Sequence, residues 1–491
     1  MKRDLVRIRL CDKKVVEYNP IMRFLSRRGP SVALVYPAPY SVASQSLGFQ
    51  LVYALLVSQG IRVERFTSDS CGRSLESGTP LKRFKYVIAS LSFELDYAYL
   101  AQMLREYGSE GQVVMAGGLA VTANPLPVLD MIDFVILGDA EPTIPKLAEA
   151  IHYDCVDCLE EEWLVNEERE GRKAEAELEE SPMLAQQFLP ISIEPPWGKG
   201  FLVEVTRGCP HKCRFCLEGW TSKPFRQRKL DQVKEALDSA GPPFEKIITI
   251  SLSLSDYKYH KEYLKVLSTH KLQGSIPSIR LEGVDEDLVK AVKRMGQRTL
   301  TIAPETTLKE KAEVLGKGFP PEFLKEKLEI IYKYKLKPKM YMMVVPKEKG
   351  EMSEREIGNL KEAIKGKVHV SVNPLIPKPW TPLQIAPIPS KDMEKIMIKY
   401  KDLGEVDLYP IRWARLQAII GLSEKPIMRY LDPSLPPEKQ MEVLSKVINI
   451  KKMENWRPEW EPKWLRYSIS NEEEVLRLGR ESYEAWRRHF Q

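Results

Sequence analysis

Three cysteines within eight residues, Cys209, Cys213 and Cys216, constrain the fold of this chain more than any other feature. The chain has seven cysteines in 491 residues, too few for a disulfide scaffold, so this group indicates a metal or redox site. A structural zinc ion takes four ligands, and His211 lies inside the loop, where it can hardly reach the same metal. Three thiolates suit an iron–sulfur cluster that keeps one iron open for a substrate or cofactor.

Before this loop, strand and helix patterns alternate. Apolar runs that begin near residues 31, 61, 86, 112 and 134 predict buried strands, and residues 47–59 and 99–107 predict helices. The alternation predicts a doubly wound parallel α/β domain over residues 31–150. Ligands of such domains lie beyond the carboxyl ends of the strands, where Gly117, Gly118 and Gly138 would allow close approach to the backbone. The alternative is that these glycines only form tight turns.

After the loop the alternation continues for longer. Strands are predicted at residues 201–206, 246–252, 276–281, 299–303, 337–345 and 367–373, and helices at 230–240, 261–267, 285–294, 321–334 and 353–363. Six such units predict a partial or full parallel barrel over residues 196–395. Active sites of parallel barrels lie at the carboxyl ends of the strands, and the cysteine loop follows the first of them.

Three other segments flank the two predicted domains. Residues 1–30 have no clear periodicity and are predicted to be an N-terminal arm or cap. Residues 151–195 are rich in glutamate and are predicted to be an acidic linker that carries an exposed helix. Residues 396–491 are predicted to be a helical, tryptophan-rich extension. Its tryptophans could stack on bases, but their spacing is more typical of a tail docked on its own barrel.

The composition is that of a soluble globular protein, with 43% hydrophobic and 29% charged residues. No apolar run approaches the roughly 18–20 residues that span a bilayer. The N-terminal residues lack the apolar stretch of a signal peptide, so we expect a cytoplasmic protein. The net charge of +6 permits a nucleic-acid partner without indicating one. Cys155 and Cys158, with Cys11 or Cys71, could hold an auxiliary cluster, but scattered thiols are more often incidental.

The spacing Cys209-x-x-x-Cys213-x-x-Cys216, with the aromatic Phe215 before the third cysteine, resembles the radical S-adenosylmethionine (SAM) superfamily. The resemblance implies that the three cysteines hold a [4Fe-4S] cluster whose open iron binds the methionyl group of SAM. One electron, from an external donor such as ferredoxin or flavodoxin, would then cleave SAM to a 5′-deoxyadenosyl radical.

The resemblance extends over about residues 31–430. Arg207, the pair Arg226 and Arg228, and the proline-rich residues 372–382 resemble the branch with an N-terminal cobalamin-binding domain. In that branch Glu305 would face SAM. The Gly-Gly-Glu often found after the second barrel strand is replaced here by residues 252–256, so that the methionyl amino group would be bound by Ser253, Ser255 or Asp256.

The cobalt-ligating signature Asp-x-His-x-x-Gly is absent, and residues 31–150 contain no histidine. Cobalamin would therefore be bound without a histidine ligand. The resemblance favours a radical SAM enzyme that functionalises an unactivated carbon, as a cobalamin-dependent C-methyltransferase. Two alternatives remain: a radical SAM enzyme whose N-terminal domain lacks the cofactor and that performs sulfur insertion, cyclisation or carbon–carbon coupling, and an iron–sulfur RNA-binding protein. RNA, protein, lipid and small molecules all remain open as substrates.

Overall fold

The computed structural model describes residues 4–11, 13–26 and 28–491, and its first element is an antiparallel hairpin. β1 (Leu5–Leu10) pairs with β2 (Lys13–Tyr18), and β10 (Leu189–Pro190) pairs with the other edge of β2. Ile8 and Leu10 are buried, whereas the arginines on either side of Ile8 are exposed. The segment predicted as an arm thus contains a strand in which buried and exposed side chains alternate. Residues 1–3, 12 and 27 of that segment lie outside the described residues.

Five parallel strands and one antiparallel edge strand form the sheet of the N-terminal domain, which confirms the predicted doubly wound fold. The order is β4-β3-β5-β6-β7-β8, and β8 is the antiparallel strand. This is the flavodoxin-like order, whose ligand sites lie where the strand order reverses, between β3 and β5. The strands are β3 (Ser31–Tyr36), β4 (Arg62–Thr67), β5 (Tyr86–Ser90), β6 (Val113–Gly117), β7 (Phe134–Ile136) and β8 (Leu164–Val165). The helices are α1 (Tyr40–Ala43), α2 (Leu47–Ser58), α3 (Asp96–Tyr107), α4 (Leu119–Ala123) and α5 (Ala140–His152).

Both faces of this sheet are covered, which explains why its central strands are apolar without alternation. On one face Val32 and Leu34 pack in a core with residues of α2 and α5. On the other face Ala33 and Val35 pack in a core with residues of α3 and of the C-terminal extension, among them the buried Trp464. The extension is therefore part of the core of the N-terminal domain.

The acidic segment between the two domains does not form the exposed helix that the sequence predicts. α5 ends at His152, and the chain then forms turns and short strands, including β8 and β9 (Gly171–Arg172). Its glutamates are interrupted by glycine and proline and carry no apolar stripe of helical period, so a helix here would bury nothing. The apolar side chains of Trp163 and Phe188 are buried instead and hold the segment against the domain.

The second domain is a parallel barrel of seven strands, with the first three and the last four in separate ladders. The strands are β11 (Gly200–Glu204), β14 (Lys246–Ile250), β15 (Gln273–Ser275), β16 (Thr299–Glu305), β17 (Lys337–Val344), β18 (His369–Pro374) and β19 (Glu405–Leu408). The helices are α6 (Leu217–Thr221), α7 (Leu230–Asp238), α8 (His260–Thr269), α9 (Glu286–Arg294), α10 (Lys309–Leu315), α11 (Pro321–Lys333), α12 (Gly350–Ala363) and α13 (Lys391–Lys399).

Two barrel strands differ from the prediction. The third strand lies at β15, before the predicted residues 276–281, because Pro277 has no N–H to donate to a ladder. Only one parallel bridge, between Ile279 and Ile302, joins this segment to β16. The seventh strand, β19, pairs with β18 and lies in the segment predicted to be helical.

The rest of the C-terminal extension is mainly helical, as predicted. Its elements are α14 (Ile411–Gly421), α15 (Pro437–Ser445), α16 (Glu472–Phe490) and the short strand β20 (Tyr467–Ser468), which pairs with β9. Trp464 and Trp486 are almost completely buried, Trp464 against the N-terminal domain and Trp486 in the barrel core. Within the described residues, no helix has the length and apolarity needed to cross a membrane.

Candidate active site

The cysteine loop is closed at its base by a two-residue antiparallel ladder. β12 (Thr206–Arg207) pairs with β13 (Arg226–Gln227), so the chain leaves the first barrel strand and returns beside it. Gly208 follows β12 with a φ of 77°, and a Cβ there would lie 2.5 Å from the Ser222 carbonyl oxygen. Only glycine fits where the chain passes so close to the Ser222 carbonyl. The loop, and with it the three cysteines, therefore lies at the carboxyl end of the first barrel strand.

The three cysteines of the loop are free and partly buried. The thiol of Cys216 caps α6 by accepting a hydrogen bond from the backbone N–H of Gly219, at 3.4 Å. A Cβ on Gly219 would lie 3.3 Å from Cys216 Sγ and 3.9 Å from Cys209 Cβ. Glycine at this position therefore lets the first and third cysteines come close to each other.

Burial raises the pKa of the Cys216 thiol to about 12 and also raises the pKa of Cys209. The protein alone keeps these groups as neutral thiols, and a positive partner such as iron is needed to make them thiolates. In the described part of the chain, no three His, Cys, Asp or Glu side chains are placed to bind one metal ion. An iron–sulfur cubane takes one thiolate per iron, so its ligands need not converge on one point. The donor set fits such a cluster.

Arg280 is not among the residues that the sequence predicts for the site, yet it contacts the loop directly. Its Nη1 donates to Cys213 Sγ at 3.4 Å, and its Nη2 donates to Glu282 at 2.8 Å. Its Nε is buried without a hydrogen-bond partner among the described residues. A guanidinium beside the second cysteine would offset part of the negative charge of a bound cluster. The sequence signal is its place just after the third barrel strand, at the catalytic end.

Replacing Arg280 with methionine should make the cluster harder to reduce, because the reduced state is the more negative one and loses a neighbouring cation. We expect the midpoint potential of the reconstituted cluster to fall by up to about 60 mV, equivalent to ~1.4 kcal/mol for a one-electron couple. Redox titration followed by electron paramagnetic resonance measures the shift. Arg280→Lys keeps the charge and should shift less. An unchanged or higher potential in Arg280→Met would show that the arginine does not act on the cluster.

The three predicted residues after the second barrel strand separate into two groups. Asp256 accepts a hydrogen bond from Ser253 and lies 2.8 Å from Nε2 of His211, which belongs to the cysteine loop. Ser253 and Asp256 thus lie beside the loop. Ser255 instead packs against Gly283, where an added Cβ would lie 2.6 Å from it, and it lines a surface cavity between α8 and α9. It does not lie with the other two.

Glu305 ends β16 in a backbone conformation that non-glycine residues rarely adopt, with a φ of 64°. Its carboxylate is largely buried and accepts a hydrogen bond at 3.1 Å from Lys317, in the loop after α10. The strand register shifts between Ile302 and Glu305, which turns the end of the strand. Backbone strain of this kind is concentrated at functional sites. Phe215, by contrast, packs against the barrel core.

The three predicted glycines of the N-terminal domain line one cavity of about 240 Å³. It lies at the carboxyl ends of the strands, between β3 and β5 where the strand order reverses, and its far wall is formed by Glu204 and Arg207 of the barrel. Arg207 is two residues before Cys209. The cavity therefore lies between the N-terminal sheet and the cysteine loop.

Three arginines and three carboxylates form an interdomain ion-pair network beside this cavity. Its members are Arg207, Arg226, Arg228, Asp139, Glu141 and Glu204. Arg207 lies 3.0 Å from Asp139, 2.8 Å from Glu141 and 2.9 Å from Glu204. Asp139 and Glu141 belong to the N-terminal domain, so the network joins the two domains. These arginines are largely buried between carboxylates and are not solvated surface charges.

The C-terminal helix α16 supports the cysteine loop from outside the barrel. Arg214, between the second and third cysteines, donates to Ser482 and pairs with Glu481, both at 3.1 Å. Lys212 pairs with Glu474 of the same helix. The other four cysteines of the chain form two disulfides, Cys11 with Cys71 and Cys155 with Cys158, which leaves no free thiol there for an auxiliary cluster.

Family models match both domains. Residues 203–357 match the radical SAM superfamily, and residues 61–168 match the N-terminal region of radical SAM proteins. An uncharacterized protein of Methanocaldococcus jannaschii is 28% identical over 432 residues, which are 85% of this chain and 94% of that protein.

The solved structures of two enzymes resemble the whole chain. TsrM from Kitasatospora setae, a radical SAM methyltransferase with cobalamin and a [4Fe-4S] cluster bound, has a TM-score of 0.55 at 14% identity and covers 92% of this chain and 100% of its own. OxsB, a cobalamin-dependent SAM radical enzyme with aqua-cobalamin and SAM bound, has a TM-score of 0.51 at 14% identity and covers 92% of this chain and 66% of its own. At these identities the likeness shows the fold.

The superfamily match falls on the cysteine loop and the barrel that holds it, and the suspected superfamily is thereby confirmed. Membership implies a [4Fe-4S] cluster, SAM and an external source of electrons. The chain belongs to the radical SAM superfamily, as an enzyme with the fold of its cobalamin-dependent members.

Proposed function

We propose that this enzyme binds cobalamin between its two α/β domains and methylates an unactivated carbon of its substrate. The observation that carries the proposal is the cavity at the strand-order reversal of the N-terminal sheet. One wall is apolar, with Leu34, Leu51 and Ile88, and the opposite wall is Glu204 and Arg207. An apolar slot suits the nucleotide end of cobalamin, and its position would bring the corrin toward the cysteine loop.

Two glycines that line the cavity support a bulky ligand there. A Cβ on Gly48, in α2, would meet no atom within 4 Å, and a Cβ on Gly117 would make only ordinary contacts with Ile136 at 3.6 Å. The packing of the protein therefore does not require glycine at either position. Gly118 and Gly138 differ, because a Cβ would lie 2.5 Å and 2.1 Å from backbone oxygens. Gly118 and Gly138 therefore shape the wall of the cavity, whereas Gly48 and Gly117 leave space in it.

The residues of the barrel mouth would hold the other two cofactors. Cys209, Cys213 and Cys216 would ligate the cluster, while the hydroxyl and carboxylate oxygens of Ser253 and Asp256 are suitable acceptors for the methionyl ammonium of SAM. Glu305, fixed by Lys317, would accept hydrogen bonds from SAM on the far side of the barrel mouth. When bound, the cluster supplies an electron to SAM, and cobalamin carries the methyl group. We propose ferredoxin or flavodoxin as the electron donor.

The proposal predicts that filling the cavity removes cobalamin and leaves the cluster. Gly48→Phe places an aromatic ring in open space at a helix position, so the fold should be retained. We expect cobalamin bound after desalting to fall at least about tenfold, as measured by its visible absorption, with iron content unchanged. Gly358→Phe is the matched control, because Gly358 also lies in a helix with no atom within 4 Å of its Cβ. Equal cobalamin binding by Gly48→Phe and the wild type would reject this site.

A second candidate function is a radical SAM enzyme whose N-terminal domain holds no cofactor and that performs sulfur insertion, cyclisation or carbon–carbon coupling. One observation favours it: none of the described residues around the cavity is a histidine that could ligate cobalt. Cobalamin titration of the reconstituted wild-type protein separates the two functions. A spectral change that saturates at one equivalent supports methyl transfer, and the absence of any change supports the second candidate.

A further inference from the structure

A second cavity, of about 550 Å³, lies entirely within the C-terminal extension. All of its lining residues fall between Glu424 and Lys463, and none belongs to the cysteine loop or to the cavity between the domains. Its volume is within the range of pockets that bind small molecules, roughly 300–1,000 Å³. The radical chemistry proposed above assigns no role to this cavity.

The rim of this cavity is strongly cationic. Lys425, Lys452, Lys463 and Arg457 line it, against the single carboxylate of Glu424. That carboxylate accepts a hydrogen bond at 2.9 Å from the backbone N–H of Lys463. No ion pair joins the ammonium group of Lys452 or Lys463 to a carboxylate in the part of the chain that the structure describes. An excess of positive charge without protein partners favours an anionic ligand.

Arg457 is a largely buried charge without an ion-pair partner among the described residues. Burial lowers its pKa to about 10, although Glu424 acts in the opposite direction. Its Nη2 donates to the Gln384 carbonyl at 3.0 Å, but its Nε has no hydrogen-bond partner among the described residues. A guanidinium removed from water without a paired carboxylate is costly to the fold. A bound anion would offset that cost.

The same cavity has an aromatic wall and an apolar floor. The guanidinium of Arg457 stacks on Trp460, with its Cζ 3.7 Å from the ring centroid, and Trp460 is held edge-on by the buried Trp464. Trp456 forms another part of the lining and packs on the ring of Trp486 at 5.0 Å. A phosphate or sulfate ion would use only the charges and would make no use of the indole rings.

We propose that this cavity binds a nucleotide, with the phosphate at the lysine and arginine rim and the base against the indole rings. Aromatic and arginine planes stack on the faces of bases, and lysines neutralise phosphate. Of the four tryptophans between Trp456 and Trp486, Trp464 and Trp486 anchor the extension to the two domains, whereas Trp456 and Trp460 line the site. The ligand is either a free mononucleotide or one nucleotide of an RNA strand, and these sources share the chemistry.

The reconstituted enzyme is titrated with AMP, adenosine, inorganic phosphate and an oligoadenylate of about six nucleotides. SAM is present so that the barrel site is filled, and reductant is left out so that SAM is not cleaved. We expect AMP to bind at least about tenfold more tightly than adenosine or phosphate in isothermal titration calorimetry. Equal affinity for AMP and the oligomer identifies a free nucleotide. Tighter, salt-dependent binding of the oligomer identifies RNA.

Two variants and one control test whether AMP binds in this cavity. Lys452→Glu should weaken AMP binding at least about tenfold, and Trp460→Ala should weaken it by a similar factor. Lys451→Glu changes the neighbouring exposed lysine, which does not line the cavity, and should leave affinity unchanged. No AMP binding, equal binding of phosphate and AMP, or equal losses in Lys451→Glu and Lys452→Glu would each overturn the proposal. SAM cleavage should be the same in all three variants, so failure here leaves the radical chemistry intact.

Discussion

Replacing Cys209, Cys213 and Cys216 together with alanine should abolish the iron–sulfur cluster and all cleavage of SAM. These are the only free cysteines in the described part of the chain, and the other four are paired in disulfides. In this structure no other described thiol is free to bind iron. We expect iron and sulfide to fall from about four per chain to near zero, and 5′-deoxyadenosine to become undetectable after reduction. Elemental analysis and chromatography of the quenched reaction measure both.

The matched control for this variant removes the other cysteine pair with the same C-x-x-C spacing. Cys155 and Cys158 lie just after α5, far along the chain from the loop, and are bonded to each other. Their double alanine variant should keep the full iron content and the full rate of SAM cleavage. If the triple variant still produced 5′-deoxyadenosine, the assignment of the cluster to this loop would be wrong.

Replacing Arg207 with methionine should destabilise the protein by about 3–5 kcal/mol, because the buried carboxylate of Glu141 then keeps only its 3.8 Å contact with Arg228. Arg207 is the centre of the interdomain ion-pair network, within 3.0 Å of Asp139 and closer to Glu141 and Glu204. Its side chain is only 16% exposed, so solvent screens these pairs weakly. Denaturant unfolding at neutral pH measures the loss.

The pH dependence of this loss identifies its cause. Burial alone would raise the pKa of Asp139 and of Glu204, but the neighbouring arginines, with Arg207 the largest of them, lower both pKa values below their usual range. Groups with lowered pKa values stabilise the fold above their unfolded pKa, near 4, and this contribution is lost as the pH falls through the folded pKa. The difference between the wild type and Arg207→Met should therefore shrink below about pH 4.

Arg355→Met is the control for Arg207→Met. Arg355 pairs with Glu310 at 2.7 Å, but its side chain is 56% exposed, and exposed pairs contribute about 0–1 kcal/mol. A loss below about 1 kcal/mol in Arg207→Met at neutral pH would show that the network does not hold the two domains together.

Apolar periodicity was sufficient to predict both α/β domains, because most strands of a sheet covered on both faces are apolar; β4 is the exception, with buried Glu64 and Arg65. Val32 to Val35 are all inaccessible to solvent, which leaves a continuous run in the sequence. The N-terminal hairpin has a weaker signal, the alternation of Ile8 and Leu10 with exposed arginines in a polar segment. β19 has no apolar run, since its exposure alternates at the edge of the ladder. Such edge strands depend on their partner and cannot be predicted locally.

The candidate site was less predictable than the fold, because most of its contacts join residues far apart in the chain. The cysteines were predicted from local spacing. The contact of Arg280 with Cys213 spans two barrel strands, and the pairing of Arg207 with Asp139 spans two domains. Only tertiary structure brings such residues together. Conversely, Ser255 lies one residue from Asp256 in the sequence but lines the separate cavity between α8 and α9.

The amount of cobalamin bound to the purified enzyme tests the central claim most directly. The protein would be produced anaerobically with cobalamin available, desalted, and analysed for cobalt and iron together with 5′-deoxyadenosine formation. The proposed function predicts about one cobalamin and about four irons per chain in a preparation that cleaves SAM. A preparation that holds the cluster and cleaves SAM but contains no cobalamin would contradict it.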